Sequence, residues 1–152
     1  MISNYTIKEL FSECNFMPLV NEYADECAAD GVPVARDVKY FVDTYLQLES
    51  AGILHALAAK SDDGLLMGFV MVLVTTLPKH THTTGTCESF FVGKEFRNTG
   101  AGLRLLSGAE SVAKEHGAVG MLVNAPVDGK LAHVLEHTSY KPSTISYYRG
   151  FT

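Results

Sequence analysis

Apolar and polar positions along the chain change period several times, and each change predicts an element. Asn4-Tyr5-Thr6-Ile7 alternates as a short strand does. From Pro18 to Ala29 the apolar positions Leu19, Val20, Tyr23, Ala24, Cys27 and Ala28 form a helical stripe that Gly31 stops. A second stripe, Val38, Phe41, Val42, Tyr45 and Leu46, predicts a helix capped by Asp37 and ended at Gly52. Ile53 to Ala59 reads as a strand, Ser61-Asp62-Asp63-Gly64 as a hairpin turn, and Leu65 to Leu77 as a long, near-continuously apolar strand, hence a central one. After the polar loop Lys79–Gly85 comes a strand from Cys87 to Val92. A helix follows, with Leu103, Leu106, Ala109, Val112 and Ala113 on one face and Gly117 at its end. Ala118 to Val123 is a further strand, Asp128 a cap for a short helix bearing Leu131, Val134 and Leu135, and Ser143 to Phe151 a β-rich tail. The expected order is β-α-α-β-β-β-α-β-α-β, an α/β fold in a single domain over residues 1–152.

The most informative segment joins the strand Glu88–Val92 to the following helix through Arg97-Asn98-Thr99-Gly100-Ala101-Gly102. Two glycines let an anion approach the backbone, and the amides opening a helix have no internal partner. With the positive end of the helix dipole they form a phosphate site. The dinucleotide fingerprint requires a third glycine where Leu105 stands, and no Gly-Lys-Ser/Thr of a nucleotide-triphosphate loop is present. Arg-x-x-Gly-x-Gly after a strand ending in Val92, with Glu95 and the Leu105-Leu106 pair in step, resembles the acyl-CoA loop of the GNAT superfamily of N-acetyltransferases. The element order fits that family over nearly the whole chain.

The resemblance implies a central mixed sheet whose parallel strands, Glu88–Val92 and Ala118–Asn124, splay to admit the cofactor. Acetyl-CoA, as co-substrate, would bond the backbone at Phe90, Phe91 and Val92, with its pyrophosphate on Arg97, Asn98, Thr99, Gly100, Ala101, Gly102 and Leu103. Glu88 falls where many members carry a catalytic glutamate, so it is either the base that takes the amine's proton or a structural carboxylate. The family's proton-donating Tyr is replaced by Leu135, with Ser139 and Tyr140 on its usual Gly and Phe and Asp128 on its usual Asn. His133, Ser139, Tyr147 and Tyr148 are the nearby substitutes. The expected activity is direct acetyl transfer to a primary amine of a small molecule or protein. The alternative is a non-catalytic module of the same fold that binds acyl-CoA or a protein.

Composition adds bounds. A chain of 152 residues, 47% hydrophobic and 19% charged, buries a core without staples. A net charge of −5 argues against nucleic acid as partner and is compatible with a cationic amine. No membrane span or signal peptide is visible, and Cys14, Cys27 and Cys87 are too scattered for a disulfide framework, so a cytoplasmic protein is expected. A homodimer stays open. His80 and His82, with His55 and Cys87, lack a metal-binding spacing, and no metal is expected. Cys14 and Cys87 lack an adjacent activating base, which disfavours a covalent acyl intermediate.

Overall fold

The computed structural model describes residues 1–29, 31 and 38–151. Among these residues five strands form one mixed sheet in the order β1-β2-β3-β4-β5: β1 is Ile2–Tyr5, β2 Leu54–Lys60, β3 Leu66–Thr75, β4 Thr84–Val92 and β5 Met121–Val123. The first four pair antiparallel, and only β4 with β5 is parallel. The helices are α1 (Ile7–Glu13), α2 (Met17–Ala29), α3 (Val38–Ser50), α4 (Ala101–Glu115) and α5 (Lys130–Glu136).

Two apolar layers cover the sheet. On one face Phe69, Met71 and Phe91 pack against Ile7, Leu10, Val20 and Tyr45 from α1, α2 and α3. On the other, Val70, Val72 and Cys87 pack against Leu105, Leu106, Ala109 and Val112 of α4. β3 is buried on both faces, as its unbroken apolar run requires.

The sequence reading and the structure part company in three places. Ile7, expected to end the first strand, instead opens α1, which begins with a complete capping box. The Glu9 amide donates to Thr6 Oγ1 at 3.1 Å and the Thr6 amide to Glu9 Oε2 at 2.8 Å. Asp128 does not cap α5: its φ of 59° and the position of Gly129 at the N-cap displace it. Nor do residues 143–151 form a strand; none of them pairs with the sheet, and all are exposed. The cap expected at Asp37 lies outside the described residues.

Candidate active site

The site is built around an irregularity in β4. Ser89 pairs with Met71 of β3, yet Val72 pairs with Cys87, so Glu88 is an extra residue, a β-bulge. The bulge reverses the strand's alternation. Cys87 faces α4, whereas Ser89, two residues on, faces α2 and α3 with Phe91. Pairing of β4 with β5 runs through Gly85↔Met121 and Thr86↔Leu122 and stops at Cys87↔Val123, immediately before the bulge. Beyond it, Phe90–Val92 keep β3 on one side and, among the described residues, meet no strand on the other. The expected gap between the parallel strands is therefore present.

Glu88 stands at the head of this gap with its side chain exposed. Its Oε2 accepts from Ser89 Oγ at 2.6 Å and from the Tyr45 hydroxyl at 2.8 Å; these two hydroxyls lie 3.3 Å apart. Among the described residues Oε1 takes no hydrogen bond. Tyr45 and Ser89 are buried, so one carboxylate oxygen is fixed by groups that water does not compete for. Burial, and then the Glu88 charge, push the Tyr45 hydroxyl far above its ordinary value, so it stays a donor at any physiological pH. Burial likewise pushes Tyr23, beside Ser89, up to about 12.

At the other end of Phe90–Val92 a single 3-10 turn, Lys94–Phe96, leads into α4. Asn98 and Gly100 both have positive φ, 70° and 83°, which folds the backbone of Arg97–Gly102 back over the helix start. The amides of Gly102 and Leu103 open the helix with no carbonyl a turn earlier to receive them; Arg104 is the first to bond back, to Gly100 at 3.1 Å. A Cβ on Gly102 would lie 3.7 Å from Phe90 and from Val92, so the helix start closes directly onto the end of β4. Free amides, a left-handed glycine and an open strand beside them fit a pyrophosphate followed by an extended arm. The Arg97 side chain is already committed. Its Nε donates to the Val92 carbonyl at 3.0 Å, its Nη2 to Glu26 at 2.8 Å, and its guanidinium lies 5.3 Å from the Phe91 ring centre.

The remaining site candidates stand apart. Leu135 is buried beside α4. His133 is exposed, its ring 5.0 Å from that of His137, and Ser139 is exposed. Tyr147 and Tyr148 lie on the unpaired tail, 91% and 59% exposed. Among the described residues no hydrogen bond joins Glu88 to any of these four. Tyr140 donates to Glu110 Oε1 at 2.8 Å, tying the chain after α5 to α4. Cys87 is buried and its thiol is pushed up to about 12 by burial, then by the Glu110 charge, so it is no nucleophile at neutral pH. Cys14 is buried too. Among the described residues His82 has one hydrogen bond, with the hydroxyl of its neighbour Thr81. No group of three or more His, Cys, Asp or Glu among the described residues is placed to hold a metal. Sequence reasoning missed Tyr45 and Ser89. Tyr45 was visible as a buried helix position, but its meeting with Glu88 depends on the bulge.

The sequence profile of the acetyltransferase (GNAT) family matches residues 7–133. The chain belongs to this family. No curated protein matches it. A ribosomal-protein-alanine N-acetyltransferase from Brucella melitensis biovar Abortus 2308 superposes with a TM-score of 0.72 at 21% identity, over 99% of this chain and 98% of that one. Glucosamine-6-phosphate N-acetyltransferase from Arabidopsis thaliana gives 0.71 at 16%, over 97% of each chain. An aminoglycoside N-acetyltransferase solved with CoA gives 0.70 at 15%, over the full length of both. At such identities these GNAT proteins share the fold. No helix among the described residues is long and apolar enough to cross a membrane.

Proposed function

We propose that this GNAT protein transfers the acetyl group of acetyl-CoA directly to a primary amine, within a ternary complex in a single domain. The observation that carries the reading is Glu88 at the point where β4 and β5 separate, one oxygen held by Tyr45 and Ser89 and the other open. The pantetheine arm would lie along Phe90–Val92, and the pyrophosphate on the amides from Asn98 to Leu103. An ammonium must lose its proton before it attacks, and Oε1 of Glu88 is the free acceptor, acting directly or through one water. Holding amine and thioester together supplies much of the rate, since two bound reactants behave as one. The structural neighbours are named for acetylating ribosomal-protein alanine, glucosamine 6-phosphate and aminoglycosides, and an amine common to these supports an amine as acceptor here.

Release of CoA with a panel of amines tests the reading. Wild-type protein should turn over, and Glu88→Gln should lower kcat/KM by about two to four orders of magnitude near neutral pH. Acetyl-CoA affinity should barely change. Activity within about threefold of wild type would make Glu88 structural. A second reading is supported by Leu135, buried where the family's proton-donating Tyr would stand: a module that binds acyl-CoA without turnover. Binding of acetyl-CoA with no CoA release from any amine would select it.

A further inference from the structure

At the far end of α4 from the Arg97–Gly102 turn lies a second cleft, of about 290 Å³, which shares no residue with the site around Glu88. The end of β1, the start of β2, Glu49 near the end of α3, and Val112 and His116 at the end of α4 line it.

Two imidazoles meet there, His55 and His116, their ring centres 3.9 Å apart and their planes 36° from parallel. Nδ1 of His116 lies 2.9 Å from the Val112 carbonyl, which can only accept, so Nδ1 carries the proton. In the neutral ring Nε2 then keeps its lone pair. His55 bonds the Gly52 backbone, and its Nε2 is buried with no hydrogen-bond partner among the described residues. Burial, and then His116, lower the His55 pKa, so this ring is uncharged at neutral pH and offers an acceptor. A buried acceptor without a donor is costly.

Glu49 adds a charge to the lining. Its Oε2 accepts from the Ile7 amide at 2.9 Å, and among the described residues Oε1 takes no hydrogen bond. The carboxylate is close enough to act on the His55 ring. The C-terminus of α4, the negative end of its dipole, lies at His116. His55, His116, Glu49 and the helix end therefore all call for a donor or a positive charge, while Leu54, Ala56 and Val112 supply an apolar wall.

We propose that this cleft binds a short alkylammonium ion, its head toward His55, Glu49 and His116 and its stem against Leu54, Ala56 and Val112. An ammonium carries donors and no acceptor, the complement of these groups. A carboxylate or phosphate would meet Glu49 and the helix end as like charges. The volume stands at the lower edge of the roughly 300–1,000 Å³ of small-molecule sites, so the ion is short. A metal ion is disfavoured because, among the described residues, no group of three ligating side chains is placed to hold one. The inference does not depend on the role of Glu88.

Butylammonium titrated into the full chain, labelled with ¹⁵N at histidine, is the probe. The ring signals of His55 and His116, assigned through His55→Phe and His116→Phe, should shift saturably near neutral pH. Butyrate and N-butylacetamide at the same concentration should leave them in place. Glu49→Gln keeps an acceptor for the Ile7 amide and removes the charge, so Kd should rise by about tenfold or more with circular dichroism unchanged. Should Glu49→Gln fail to fold, His116→Phe, at an exposed position, decides in its place. Shifts that do not saturate, equal shifts with butyrate, or an unchanged Kd in the deciding variant overturn the proposal. Zn²⁺ alone saturating both rings where butylammonium has no effect would make this a metal site, and would also overturn it.

Discussion

Gly68 tests how tightly the site is built. It lies in β3 opposite Val92, the last residue of β4, and under α4. A Cβ there would stand 2.6 Å from the Phe91 carbonyl oxygen, 3.1 Å from Leu105 Cδ1 and 3.2 Å from Val92 Cα. Two of those three neighbours are backbone and cannot rotate away, so Gly68→Ala must part β3 from β4 or lift α4. Overpacking of a buried site costs about 1–3 kcal/mol, and a backbone clash belongs at the upper end. Restricting the unfolded chain returns about 0.4–1 kcal/mol. The net loss is therefore about 2 kcal/mol. With a urea slope of about 2 kcal/mol per molar, the midpoint should fall by about 1 M without a change in slope. Tm should fall by about 4–8 °C. Gly120→Ala, where a Cβ meets nothing within 4 Å and φ is not positive, should stay neutral or gain slightly. A Gly68→Ala protein as stable as wild type would refute the close packing of β3, β4 and α4 around Val92.

Other outcomes follow from the same geometry. Gly100→Val forces a β-branched residue to φ 83° and crowds the anion loop, so the thermal shift with acetyl-CoA, about 5–10 °C for wild type at a hundredfold excess over Kd, should vanish. An undiminished shift would remove this loop as the phosphate cradle. None of His133→Gln, Ser139→Ala, Tyr147→Phe and Tyr148→Phe should lower kcat more than about tenfold, roughly 1.4 kcal/mol of barrier, because none bonds to Glu88; loss of turnover in one, with cofactor binding intact, would assign it the thiolate's proton. His55, whose Nε2 is buried with no hydrogen-bond partner among the described residues and whose ring lies 3.9 Å from that of His116, has its pKa lowered by burial and then by His116. The folded state then binds fewer protons than the unfolded one below about 6.5, so stability is lost as pH falls from there toward the lowered value. The loss of Tm between pH 7.5 and 5.5 should shrink in His55→Phe, and an equal loss in both proteins would contradict it.

Most of the scaffold was legible because period and punctuation agree: the stripes of α2, α3 and α4 and the apolar run of β3 stand where the pattern places them. α1 was legible too, in Thr6-x-x-Glu9 before Leu10, but a strand-like alternation over the same residues competed with it. The glycine turn before α4 was readable because its glycines and helix start are local. Tyr45 as the partner of Glu88 was not, being 43 residues away in sequence and dependent on one added residue in β4. Alternation alone would put Cys87, Ser89 and Phe91 on one face, and the bulge breaks that rule where the strands separate. The tail was misread because β-propensity names a strand and not the sheet it joins.

Arg97 couples two elements that are far apart in sequence. Its guanidinium is bonded to Glu26 on α2, while its Nε is bonded to the carbonyl that ends β4 and its own backbone begins the anion turn. The pair is partly solvated, so its energy is small, but its reach is short. A ligand that moves α2 outward by an ångström must either break the 2.8 Å contact or drag the turn with it. Arg97 thus makes α2 and the turn before α4 one mechanical unit, and a displacement of either is felt at the other.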